Sequence, residues 1–107
     1  MKELRYNLSC RLFTDAKCFG PGVAQLLHRV ERLHSLRAAA AEMEMAYSKA
    51  WKIINSIEKE FDVRLIDREG AHGSHLTDEA RALIRQYHEA LDAADAAAQA
   101  VFRKYYP

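Results

Sequence analysis

Residues 35–61 read SLRAAAAEMEMAYSKAWKIINSIEKEF, and the fold depends on how this stretch is parsed. Ser35 is a favourable N-cap for a short helix. Ala38, Ala39, Ala40 and Ala41 leave that helix a face that another helix can approach closely. An alanine run alone reports only helix propensity. This one is followed by a turn at Met43-Glu44-Met45 and then by Ala50-Trp51. A second helix begins at Ala46 or Tyr47 and carries Ala50, Trp51, Ile54, Ile57 and Phe61 on one apolar face. Two short, closely joined helices with small residues at their crossing make a helix-turn-helix. Trp51, at helical spacing between Ala50 and Ile54, reads as core. The opposite face presents Tyr47, Ser48, Lys49, Lys52, Asn55 and Ser56, all able to hydrogen-bond phosphate or base edges. Tyr47 either packs against the turn or points outward.

After this motif comes DVRLIDREGAHGSHLTDEA. Val63, Leu65 and Ile66 suggest a short strand, residues 70–74 a loop, and His75-Leu76 a returning strand. The product is a β-wing after the second helix. Arg68, His72 and His75 fall near its tip, within reach of a nucleic-acid backbone or minor groove. His72 and His75 lack a third ligand at a sensible spacing, so a metal reading is disfavoured.

Thr77 is an N-cap for the last helix, with Asp78 and Glu79 where the dipole favours acids. Ile84, Tyr87, Leu91, Ala94, Ala98, Val101 and Tyr105 recur at spacings of three and four, the a/d pattern of a coiled-coil seam. At ~1.5 Å per residue the helix is roughly 40 Å long. That exceeds what a core this small needs, so a dimerisation helix is expected rather than one folded back on its own domain.

Before the motif, Leu4, Tyr6, Leu8, Cys10 and Leu12 alternate with Arg5, Asn7, Ser9, Arg11 and Phe13, which predicts a half-buried strand. Residues 17–19 are expected to pair back after a turn at residues 14–17. Gly20-Pro21-Gly22 breaks the strand, and Pro21 suits a first helical turn. Val23, Leu26, Leu27, Val30 and Leu33 then predict an amphipathic helix over residues 21–34. Its outer face of His28, Arg29, Glu31 and Arg32 reads as solvated.

The chain has 107 residues and half of them are hydrophobic, enough for one domain with a small core. The expected division is a β-hairpin over 1–20, helix-turn-helix and wing over 21–76, and a dimerisation helix over 77–107. No apolar run approaches the roughly 20 residues that span a bilayer, and no signal peptide is recognisable. A cytoplasmic protein without membrane contact is the expectation. Cys10 and Cys18 are too few for a disulfide framework and match no metal motif, so free thiols without function are expected. Net charge is +1. Lys and Arg number six against three acids in residues 1–34, six against seven in 35–76, and four against five in 77–107. That balance lacks the electrostatic footprint of a nucleic-acid binder. Locally, however, residues 46–57 hold two lysines and no acid, with Glu58, Glu60 and Asp62 at the far end of the helix. A helix entering a groove by its N-terminal end keeps those acids away from phosphates.

HSLRAAAAEMEMAYSKAWKIINSIEKEF, LIDREG and LTDEARALIRQY together resemble the N-terminal DNA-binding domain of ModE-type molybdate-responsive regulators. The likeness covers roughly residues 4–90, and AYSKAW is its most specific part. LysR-type regulators share the winged-helix pattern more loosely, without the tryptophan. Glu44 stands where the family pattern has a turn glycine, Ala46 where it has a capping serine, and Ala80 where it has a glycine. The resemblance implies that Tyr47, Ser48, Lys49 and Lys52 match the DNA-reading helix. It does not extend to the molybdate-binding region, so a stand-alone DNA-binding domain is expected, with the effector unassigned and no cofactor.

The expectation is therefore a mainly α, winged helix-turn-helix transcription regulator, a homodimer whose partner is double-stranded DNA. Its candidate contacts are Tyr47, Ser48, Lys49, Lys52, Asn55, Ser56, Arg68, His72, His75 and Arg37. Two copies would read half-sites about 34–36 Å apart or a multiple of that. The alternative is a protein-interaction module of the same fold that has lost DNA binding, which the near-neutral charge favours. An enzyme is disfavoured, because no nucleophile–base pair, phosphate loop or carboxylate pair stands out.

Overall fold

Caps and turns set the helix boundaries. The computed structural model describes residues 2–16, 18–68 and 73–107, with Cys18 and Arg68 described in their backbone alone. Helix α1 (Pro21–Leu33) opens on proline and ends at His34, whose N–H still bonds the Val30 carbonyl and whose left-handed backbone (φ 55°) turns the chain out of the helix. Helix α2 (Leu36–Glu42) is capped by Ser35, whose hydroxyl accepts from the Ala38 N–H at 3.0 Å. The turn after it closes two nested bonds. Glu44 N–H donates to the Ala41 carbonyl at 3.0 Å and Met45 N–H to that of Ala40 at 2.9 Å. This is a Schellman motif, normally completed by a left-handed glycine. Here Glu44 takes that conformation (φ 56°), so the turn keeps its shape without the glycine.

Helix α3 (Tyr47–Phe61) starts from extended Ala46 with no side-chain cap. Strands β3 (Ile66–Arg68) and β4 (Ser74–Leu76) pair antiparallel, Ile66 opposite Leu76 and Arg68 opposite Ser74, and form the wing. The wing strand begins at Ile66, after the Val63 and Leu65 that were expected within it. Leu65 is instead fully buried, and its carbonyl accepts from the Thr77 N–H. Residues 69–72 lie outside the described residues, and with them His72 and most of the loop expected at 70–74. Thr77 caps α4 (Asp78–Tyr105) by accepting from the Ala80 N–H at 3.0 Å, while its hydroxyl donates to the Arg64 carbonyl.

The core lies where α1, α2, α3 and the first turns of α4 meet. Leu26, Leu27, Val30, Leu36, Ile54 and Leu65 are sealed from solvent, and Phe19 packs edge-on against Tyr87. Ala39, Ala40 and Ala50 are all buried where α2 packs on α3, so the alanine run serves as a crossing surface. Trp51 is only half-buried at the margin, not the core residue its spacing suggested.

The N-terminal hairpin is much shorter than its alternation predicted. Among the described residues only β1 (Leu12–Phe13) and β2 (Cys18–Phe19) pair there, with Leu12 opposite Phe19. Residues 4–10 lie along α4 instead. The Tyr87 hydroxyl donates to the Cys10 carbonyl at 3.1 Å, and burial raises its pKa, which keeps the phenol a donor. Further along, the Tyr6 hydroxyl donates to the Asp95 carbonyl at 3.3 Å, and its ring meets Phe102 at 4.9 Å. Four extended residues at roughly 3.3 Å each match eight helical residues at ~1.5 Å, so the segment runs antiparallel to the helix. Its period-two alternation found a helix to lie on rather than a strand to pair with.

This arrangement divides the predicted seam. Ile84 and Tyr87 are buried in the domain's own core, and Leu91 packs on that core half-buried. Ala98 is half-buried further out. Ala94, Val101 and Tyr105 remain exposed, Val101 at 53% and Tyr105 at 65%. The first turns of α4 thus fold back on their own domain, against expectation, and only the distal part leaves an apolar strip open. No helix among the described residues is long and apolar enough to cross a membrane.

Candidate nucleic-acid interface

On α3 the outward residues form a ridge with two flanks. Ser48, Lys52 and Asn55 follow one another at spacings of four and three, and all three are exposed. Lys49 is exposed on one flank and Ser56 half-buried. On the other flank stand Tyr47 and Trp51, both half-buried, with ring centroids 6.1 Å apart in an edge-on contact. The Arg37 guanidinium reaches across from α2 and lies over the Tyr47 ring, 4.1 Å from its centroid. Tyr47 therefore packs locally, and Arg37 brings a cation to the start of α3. Ser35, Leu36, Gly73 and Ser74 close the remaining sides of a notch beside these aromatics.

The wing is held against the helix-turn-helix. Ser74 N–H donates to the His34 carbonyl at 3.1 Å. Gly73 has φ +85°, and a Cβ there would fall 2.3 Å from the His34 oxygen, so only glycine fits this crossing. The His75 ring faces the His34 ring at 5.5 Å, half-buried, toward the end of α1 rather than toward the wing tip as expected. Arg68 sits opposite Ser74 in the wing ladder.

On the opposite side, Lys52 and Ser56 line a cleft with Arg11, Pro21, Gly22 and Met45. Arg11 was not among the sequence candidates, because only the chain's return past the start of α1 brings it there. Arg29 and Arg32 of α1 both pair with Glu42 of α2, which ties that face of α1 to the helix-turn-helix.

The acids of α3 are turned into the fold. A Glu58 carboxylate oxygen accepts from the Leu65 N–H at 2.7 Å and the Ile66 N–H at 3.4 Å. Glu60 accepts from the Asp15 N–H at 3.1 Å and from the Thr14 hydroxyl. The first turn of α3 contains no acid. Sequence reasoning saw the separation of charge along the helix but not these partners, which lie up to 46 residues away.

The profile described as bacterial regulatory helix-turn-helix protein, lysR family, matches residues 23–81, more than half of the chain. The chain belongs to that family. It is thus a DNA-binding transcription-regulator domain of the LysR type, and its relatives are regulators rather than enzymes. The family established is the one whose pattern looked looser in the sequence. The LysR-type fold recurs in crystal structures of a CbnR_DBD–DNA complex (TM-score 0.59, 17% identity, covering 77% of this chain and 93% of that one) and a BenM_DBD/catB site 1 DNA complex (0.57, 18%, 78% and 92%). A BenM_DBD/benA site 1 DNA complex aligns with a TM-score of 0.58 at 18% identity, covering 78% and 92%. At such identities the likeness is one of fold. No curated protein sequence matches the chain significantly.

Proposed function

We propose that residues 1–107 act as one domain that binds operator DNA as a homodimer, with α3 in the major groove and the wing on the flanking backbone. The observation that carries this reading is the Ser48–Lys52–Asn55 ridge, free of acids, on a helix whose own carboxylates are engaged elsewhere. Ser48, Lys49 and Asn55 are assigned to base edges or nearby phosphates, and Lys52, Ser56 and Arg37 to the backbone. Arg68, His72 and His75 belong to the wing contact, with His75 supporting it from behind. The related domains solved with DNA support this use of the fold. AYSKAW, with Trp51 beside the notch, supports a ModE-like variety of the LysR-type domain. The reading assigns no effector.

Dimerisation is assigned to the distal part of α4, where Ala94, Val101 and Tyr105 leave an apolar strip open. Selection of bound duplexes from a random pool tests the whole reading. A recovered palindrome with half-sites about 34–36 Å apart, or a multiple, supports it. Recovery of no DNA at low salt favours the second reading, a winged helix that pairs with protein, for which the net charge of +1 is the supporting observation.

A further inference from the structure

The imidazoles of His28 on α1 and His88 on α4 converge outside the set of residues assigned above to DNA contact. Their Nε2 atoms are 2.7 Å apart, with ring centroids at 4.9 Å and planes tilted by 38°. Their chain neighbours Leu27 and Tyr87 are buried, so both rings project from anchored positions. Next to them the Arg81 guanidinium donates to Glu31 at 3.2 Å, joining the same two helices and neutralising that carboxylate.

Two imidazole nitrogens this close share either a proton or a cation. A shared proton needs one ring as donor and the other as acceptor. A cation accepts both rings in the same neutral form. A tetrahedral metal at about 2.0–2.1 Å from each nitrogen would hold them about 3.3 Å apart, so the pair must open by roughly 0.6 Å. Small rotations of two surface side chains suffice for that, and the solvent side leaves room for water ligands. Imidazole suits zinc, copper and nickel, whereas magnesium and calcium prefer oxygen donors.

We propose that His28 and His88 form a two-histidine site for a divalent transition metal such as Zn²⁺, which ties α1 to the long helix. Among the described residues no third His, Cys, Asp or Glu joins the pair. Water therefore completes the coordination, and the metal is exchangeable rather than structural.

The test titrates the metal-free full chain with ZnCl₂, and with MgCl₂ as control. Readouts are thermal unfolding and the imidazole ¹⁵N resonances of His28 and His88. Zinc should raise the unfolding midpoint and move both sets of resonances, and magnesium should do neither. Loss of a residue that merely supports a metal ligand costs about 10–100-fold in affinity. His28→Gln and His88→Gln should each weaken binding by at least that, and the double variant should abolish the response. The proposal is overturned if the wild-type resonances do not move, or if the double variant keeps the full thermal shift, which would put the metal elsewhere, for instance at the Cys10 thiol.

Discussion

The guanidinium of Arg37 lies 4.1 Å from the centre of the Tyr47 ring, so the helix that supports the turn also places a cation at the start of the helix that follows it. Exposed contacts of this kind contribute about 0.5–1 kcal/mol. Arg37→Ala should lower stability by no more than that. It should weaken binding to specific and random DNA alike and reduce the salt slope by about one unit. Titrations at several salt concentrations check this, and an unchanged slope would remove Arg37 from the interface.

Lys49 and Lys52 differ in surroundings. Lys49 is exposed on the flank nearer the N-terminus of α3, and Lys52 stands over the cleft that it shares with Arg11. Lys52→Ala should act as loss of a phosphate contact and weaken every duplex equally. Lys49→Ala should relax the preference at one base pair, by about 1–3 kcal/mol. Affinities for the selected operator and for single-base variants distinguish the two. If neither change alters binding to any duplex, α3 is not the reading helix.

Ile84 and Val101 belong to one stripe in the sequence but to different environments in the fold. Ile84→Ala should destabilise the protein by about 2–5 kcal/mol through a core cavity. Val101→Glu should leave the melting of the monomer unchanged and shift sedimentation toward it. Leu91→Glu, at the boundary between the two environments, should reduce both stability and association. A wild type that sediments as a monomer at micromolar concentration would refute the dimer.

Gly73 holds the wing against the end of α1. Gly73→Ala forces a left-handed alanine and a 2.3 Å clash with the His34 carbonyl. It should destabilise by about 1–3 kcal/mol, and the Ser74 amide should lose hydrogen-exchange protection before the core does. Equal protection in the two proteins would show that the wing is held by other contacts.

Signals that act within a few residues were legible in the sequence. Ser35 and Thr77 as caps, Pro21 as an opener, and the alanine crossing all act within one or two turns of chain. The misreadings have one physical origin. Periodicity says that a face is covered but not by what. The alternation of Leu4, Tyr6 and Leu8 signalled a half-buried strand, but the segment only rests on α4 through Tyr6 and all three side chains stay exposed. The Ile84–Tyr105 stripe signalled burial, and the domain's own core took its first part. Trp51 has the spacing of a core residue and packs against the core, but it stays half-buried where a notch opens beside it. The candidate face was legible as the outward side of α3. Arg11, the Arg37–Tyr47 contact and the inward turn of His75 were not, because each depends on segments brought together by the turns.

The carboxylate of Glu58 accepts amide protons from two successive residues at the root of the wing. Helix α3 and the wing therefore move as one lever arm. An isolated groove-reading helix can slide or tilt to suit imperfect sequences, whereas one rigidly coupled to a second point of contact measures a fixed distance along the duplex. On the proposed mode of binding, Glu58 makes this domain a gauge, sensitive to the helical pitch and groove width of its target as well as to the bases in it.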